Sequence, residues 1–197
     1  NMKETGPLEG LRGLDLSRVL SGPFATMTLA DLGAAVAKLE RPGSGDDTRS
    51  FGPPFVDDVS TYFLSVNRGK RSVEVDLKSS ADIELVVRLA RQADVLVENF
   101  RPGVMDRLGL GWETLRDENP GLVYCSISGF GSDVDRPGYD LMVQGLSGIP
   151  SITGNGEEPT KCGASIADLI AGMNAVQGIL AALHRRHETG KGGRVDV

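Results

Sequence analysis

The chain has 197 residues, 40% hydrophobic and 24% charged, which is the composition of an ordinary globular domain long enough to bury a core. A net charge of -6 without a basic run argues against a nucleic-acid partner, and Cys125 and Cys162 lie too far apart for a metal knuckle or a disulfide framework. No stretch approaches the ~18 uninterrupted apolar residues of a membrane span, and residues 1–10 lack the basic-then-apolar order of a signal peptide, so no membrane partner and a cytoplasmic location are expected.

Residues 1–10 read as a flexible start. From residue 11 on, short runs rich in Val, Ile and Leu alternate with helical patterns, the signature of parallel βαβ units. Residues 11–16 read as a first strand. Ser21-Gly22-Pro23 then opens a helix that runs to Leu32 and is stopped by Gly33, and residues 35–40 form a second strand. Residues 43–67, with Pro53-Pro54 and Asp57-Asp58 and little periodicity, read as a long loop. A third strand at 72–77, a helix at 80–92, a fourth strand at 95–98 and a fifth at 122–128 follow, and "GRVDV" at the end begins another. The fold class is α/β: an open, doubly wound, mostly parallel sheet with Rossmann-like units.

Such sheets bind ligands beyond the carboxyl ends of their strands. Arg18 follows strand one, Arg41 strand two, Lys78 strand three, Asn99-Phe100 strand four and Gly129-Phe130-Gly131 strand five. Three cations, an amide and an aromatic ring on one rim suit a ligand carrying phosphates and a flat base, although each taken alone could be a solvated loop residue. Glu40 sits where a dinucleotide-binding protein keeps its ribose acid, but Ser17-Arg18-Val19-Leu20-Ser21-Gly22-Pro23 contains no G-x-G-x-x-G, which argues against a nicotinamide enzyme.

The segments "LDLSRVLSGPFATMTLADLGAAVAKLERPGSGDDTR", "NRGKRSVEVDLKS", "ADVLVENFRPGVMDRLGLGWETL", "YCSISGFG", "GYDLMVQGLSG" and "GASIADLIAGMNAVQGILAALHRRHETGKG" together resemble the amino-terminal part of class III coenzyme A transferases. That superfamily also holds formyl-CoA transferase, carnitine CoA-transferase and the alpha-methylacyl-CoA racemases. The resemblance implies that Arg41, Lys78, Asn99, Phe100 and Arg107 hold coenzyme A, that Asp168 is the catalytic aspartate, and that Tyr139 is a further active-site residue. It makes residues 11–197 the amino-terminal portion of a CoA-binding large domain. A smaller second domain and an interlocked homodimer are implied for longer chains, so the sequence reads as part of one. It implies no permanently bound cofactor: CoA is a co-substrate, and the partners are an acyl-CoA donor and a small carboxylic acid acceptor. Where formyl-CoA transferase has a His and a Gln in the first loop this chain has Arg18 and Leu20, which argues against oxalate and formate.

Asp168 is the one carboxylate in the apolar run from Ile166 to His184. Ser165 and Asp168 fit S-x-x-D, so Asp168 could simply cap a helix, with the helix terminus favouring its ionised form. Gly172 and Ala175, four and seven residues on, read as small neighbours leaving room for a substrate beside the carboxylate. An ionised carboxylate can attack a thioester, and the family mechanism passes through an aspartyl anhydride and an aspartyl-CoA thioester. His184 and His187 are too few for a metal site, no His adjoins Cys162 to activate it, and Trp112 reads as a packing anchor. Three readings follow: CoA transfer; racemisation of acyl-CoA thioesters, for which Tyr139 replaces the expected His with a phenol of ordinary pKa ~10; and a silent CoA-binding fragment.

Overall fold

The computed structural model describes residues 6–197. Of the expected flexible start, residues 1–5 lie outside the described residues. Residues 6–10 form a turn in which the Leu8 N–H donates to the Leu32 carbonyl (2.9 Å), just before Gly33, whose φ of +105° ends the first helix.

In chain order the elements are β1 (Arg12–Asp15), α1 (Ser21–Asp31), β2 (Ala35–Glu40), a 3₁₀ turn (Asp47–Ser50), β3 (Phe55–Val56), β4 (Val59–Ser60), α2 (Thr61–Asn67), β5 (Lys70–Glu74), α3 (Ser80–Ala90), β6 (Val95–Glu98), α4 (Val104–Arg107), α5 (Trp112–Glu118), β7 (Val123–Ser126), α6 (Asp140–Ser147), α7 (Ile149–Ile152), α8 (Ile166–Thr189) and β8 (Gly193–Asp196). Six strands form one all-parallel sheet in the order β5-β2-β1-β6-β7-β8, with the chain reversing its direction of progress between β1 and β6. Along the strands Leu14, Leu39, Leu96 and Tyr124 face one side and pack with α3 and α5. Val36, Val95, Val97, Val123 and Cys125 face the other and pack with α1 and α8. This two-residue alternation fills both layers of a doubly wound fold.

The structure adds the short helices α4 to α7, trims the ends of the first and fifth strands and of the helix at 80–92, and departs from the sequence reading further in the following places. Residues 43–67 are not a bare loop: they hold the 3₁₀ turn, the β3–β4 hairpin and α2, whose N-cap Ser60 accepts from the Phe63 N–H (3.3 Å). Each piece is too short to show a period among the prolines and aspartates. The third sheet strand begins at Lys70 rather than Ser72 and ends at Glu74, the stretch that lies in parallel register with Val36–Glu40 of β2. Finally, among the described helices α8 alone has the length and hydropathy of a membrane span, 1.6 over 18 residues. Its Gly172, Ala175, Val176, Ile179 and Ala182 are nonetheless buried against α1 and the sheet.

Candidate active site

The site is built beyond the carboxyl ends of the paired strands β1 and β6, where the strand order reverses, and its foundation is a buried charge cluster. Asp15, the last residue of β1, is fully buried and accepts from the Ser17 N–H (2.9 Å), the Thr26 hydroxyl (2.7 Å) and Lys70 Nζ (2.9 Å). Lys38 Nζ, also buried, donates to the Ser17 carbonyl (3.0 Å) and pairs with Asp46 (2.9 Å). Burial by itself would raise the Asp15 carboxyl; Lys70 and Lys38 more than reverse that and hold it at about 2. Asp46 in turn accepts the Val19 N–H at 3.3 Å, which fixes Val19 at a φ of 66°, a left-handed conformation that a β-branched residue adopts only when its surroundings compel it.

Arg18 is clipped from the other side. Its N–H donates to Asn99 Oδ1 and its carbonyl accepts from Asn99 Nδ2, both at 2.8 Å, so both polar groups of the Asn99 amide serve the backbone of the first loop. The Arg18 guanidinium lies over the Phe100 ring, 5.4 Å from its centroid. Glu98 fixes that ring's position by accepting the Phe100 N–H (2.9 Å).

Asp168 stands in the first turn of α8. The structure overturns two expectations about it. Ser165 makes no side-chain cap, and Asp168 does not act as one: Asp140 of α6 does, its Oδ1 accepting from the N–H groups of Ala167 (2.9 Å) and Asp168 (3.4 Å). Gln144, buried one turn along α6, donates to Asp140 Oδ2 (2.7 Å) and to the Ala164 carbonyl (3.2 Å), and accepts from the Cys162 N–H (2.8 Å). The helix terminus also does not leave Asp168 an ordinary ionised carboxylate, because burial and then the Asp140 charge push its pKa up to about 6. Gly172 and Ala175 do not make room for a substrate either. A Cβ on Gly172 would meet the Ser21 carbonyl oxygen at 2.7 Å and Phe24 Cδ1 at 2.9 Å, and Ala175 is buried in the core beneath α1, so both serve the packing of α1 against α8.

A cavity of about 310 Å³ opens at the carboxyl ends of β1 and β6 and is lined by Arg18, Asn99, Phe100, Tyr139 and Asp168 together. Of the other residues singled out from sequence, Arg41 is exposed and ion-paired with Asp47, which does line the cavity. Lys78 and Arg107 are exposed and lie outside its lining. Tyr139 is 70% exposed, in a loop held by direct backbone contact: a Cβ on Gly129 would lie 2.2 Å from Gly138 Cα. Sequence reasoning passed over Arg101 and Arg136, which also line the cavity, the latter stacked 4.7 Å from the Phe130 ring centroid. Arg101 could have been found as the residue following Asn99-Phe100; nothing local marks Arg136. His184 and His187 lie toward the far end of α8, and Cys162 precedes that helix without lining the cavity.

Residues 8–197 match the model of a single family, described as CoA-transferase family III. The chain belongs to that family. It is 50% identical over 194 residues to the Mus musculus succinyl-CoA:glutarate CoA-transferase, covering 96% of this chain and 44% of that protein. It is 50% identical over 200 residues to the Acetobacter aceti acetyl-CoA:oxalate CoA-transferase, covering 99% and 51%. The crystal structure of a CAIB/BAIF family protein from Brucella suis superposes with a TM-score of 0.93 at 46% identity, over 98% of this chain and 53% of that one. The chain spans about half the length of the curated relatives it matches.

Proposed function

We propose that the protein transfers coenzyme A from an acyl-CoA thioester to a free carboxylic acid, with Asp168 as the nucleophile. The observation that carries the proposal is the Asp168 carboxyl, half-buried on a cavity shared with arginines and raised to about 6. At pH 7 such a group is still roughly 90% ionised, yet more basic than an ordinary carboxylate and so a better attacking oxygen. Family membership supports the reading, as do relatives whose names specify CoA transfer to glutarate and to oxalate.

In the proposed cycle an Asp168 oxygen attacks the donor thioester carbonyl. The C–S bond breaks, CoA departs as the thiolate, and a mixed anhydride remains. The thiolate then attacks the Asp168 carbonyl carbon and expels the donor acid as its carboxylate, leaving an aspartyl-CoA thioester. The acceptor carboxylate attacks that thioester, and the returning thiolate takes the acceptor acyl group, restoring Asp168. No proton or electron is gained or lost over the cycle. We assign CoA to the outer rim, with Arg41, Lys78 and Arg107 available to its phosphates and the Phe100 ring to its base. Asn99 contributes by holding Arg18. Tyr139, at the cavity mouth, is assigned to the reacting end. The cytoplasmic location and homodimeric assembly expected from the sequence belong to the same proposal.

The test is isotope exchange, using the protein expressed with whatever sequence flanks these residues in its gene. Label from a panel of free acids should enter the acyl-CoA pool, and hydroxylamine should trap a hydroxamate on the peptide containing Asp168. Asp168→Asn should abolish both. Deuterium uptake at the α-carbon of the acyl-CoA without exchange would replace transfer by racemisation.

A further inference from the structure

We infer that Gln144 is a positioning residue for the transfer reaction: acting through Asp140 and through the chain that enters α8, its buried amide fixes where the Asp168 carboxylate stands. This rests on the CoA-transfer reading and adds to it the residue that supports the nucleophile.

The Asp168 side chain has no holder of its own. Among the described residues no hydrogen bond or ion pair reaches its carboxylate, so its place is set by the backbone that carries it. That backbone is the first turn of α8, where Ser165 gives no side-chain cap and the N–H groups of Ala167 and Asp168 both donate to Asp140 Oδ1. The last torsion of an aspartate is broad, so one oxygen alone does not fix the direction of the group. Asp140 faces α8 because its other oxygen, Oδ2, accepts from Gln144 Nε2 at 2.7 Å. Gln144 reaches the same turn by a second route. Its Nε2 also donates to the Ala164 carbonyl (3.2 Å) and its Oε1 accepts from the Cys162 N–H (2.8 Å), which ties down the segment leading into α8.

Two features show that the position requires an amide rather than bulk. Gln144 is the one buried residue of α6, while Leu141, Met142 and Leu146 of the same helix are exposed. A helix that only packed would bury its leucines. An amide buried in their place lowers stability unless its nitrogen and oxygen are both bonded, and here both are. The three partners also exclude other side chains of similar size. The Asp140 carboxylate and the Ala164 carbonyl need a donor, and the Cys162 N–H needs an acceptor. Ionised glutamate only accepts, lysine only donates and methionine has no N–H, whereas glutamine supplies donor and acceptor from one planar group. Neither Asp140 nor Gln144 lines the cavity, so both act on the reaction through Asp168 rather than by touching a ligand.

The test uses the protein with its flanking sequence and two variants. Gln144→Met keeps the length of the side chain and removes its polar atoms; Gln144→Asn keeps the amide and draws it back by one methylene, out of reach of all three partners at once. Circular dichroism and thermal unfolding identify the variants that fold. Because a misplacement of about 1 Å can cost about 100-fold in rate, Gln144→Met should lower kcat for exchange, and the rate of hydroxamate formation at saturating acyl-CoA, by roughly 10- to 100-fold, and Gln144→Asn by less. KM, and the Kd for CoA by equilibrium dialysis, should stay as in the unaltered protein. If Gln144→Met does not fold, Gln144→Asn alone decides; failure of both to fold makes Gln144 a residue of the fold and overturns the inference. A folded variant with unchanged kcat overturns it in the same way. A loss seen in KM or in CoA binding, with or without kcat, overturns it too, since the cavity itself would then have changed. Absence of exchange by the unaltered protein with every acid refutes the transfer reading itself, and the inference falls with it.

Discussion

Replacing Gly172 by alanine separates two explanations of the small residue that follows Asp168 by one helical turn. An added Cβ would sit 2.7 Å from the Ser21 carbonyl oxygen and 2.9 Å from Phe24 Cδ1. The first of these is backbone and cannot rotate away, so α8 must move off α1 by several tenths of an ångström. Overpacking of this kind costs about 1–3 kcal/mol, and the better helix propensity of alanine returns up to about 1 kcal/mol. The expected net loss is about 1–2 kcal/mol, or roughly 2–8 °C in Tm for a chain of this size. Urea unfolding should show a lower midpoint with an unchanged m-value. Because Asp168 lies one turn away, CoA exchange should fall through a displaced carboxylate while the chain remains folded. A variant of unchanged or higher Tm that lost exchange would refute this reasoning and restore the view that Gly172 clears space for substrate.

Exchange activity should rise with pH through an apparent pKa near 6, since Asp168 must be ionised to attack, and Asp140→Asn should move that limb to lower pH without bringing it to an ordinary carboxylate value, burial being the larger cause. A limb that does not move would remove Asp140 from the titration. With its folded pKa raised, Asp168 makes the chain less stable as pH rises from about 4 to about 6, a trend that chemical denaturation at several pH values should show and Asp168→Asn should remove. Asp15→Asn deprives buried Lys38 and Lys70 of a shared carboxylate and should cost about 3–5 kcal/mol. With the Asp15 pKa depressed to about 2, its stabilisation is present above the ordinary 3.8 and is lost as pH falls toward 2; a variant unfolding in acid just as the parent does would contradict the assignment. Asn99→Ala leaves the N–H and carbonyl of Arg18 without partners and should cost about 1–3 kcal/mol by thermal unfolding; an unchanged Tm would contradict the clip.

Features that depend on neighbours a few residues apart are legible in the amino-acid sequence. The short apolar run at 95–98, the Ser-Gly-Pro start of α1 and the Gly33 stop are local signals, and β6 and β2 fall at the expected residues. The odd charge at Asp168 was equally visible, because one carboxylate in an apolar helix violates a 3.6-residue pattern that can be read directly. The βαβ alternation also placed Arg18, Asn99 and Phe100 at strand ends, where parallel sheets bind ligands. Tertiary structure decided everything that joins residues far apart in the chain. The clip of Asn99 on Arg18 spans 81 positions, the capping of α8 by Asp140 spans 27 to Ala167, and the hold of Asp46 on Val19 spans 27. None has a period or a spacing, since a hydrogen bond constrains geometry in space and leaves sequence separation free. Gly172 shows the same limit: its neighbours along the helix suggested an open face, but the crossing of α1 over α8 put the Ser21 carbonyl there. The pKa of Asp168 follows suit, because burial and the approach of Asp140 are properties of packing, and only the assembled α6 and α8 bring two carboxylates close enough for one to raise the other.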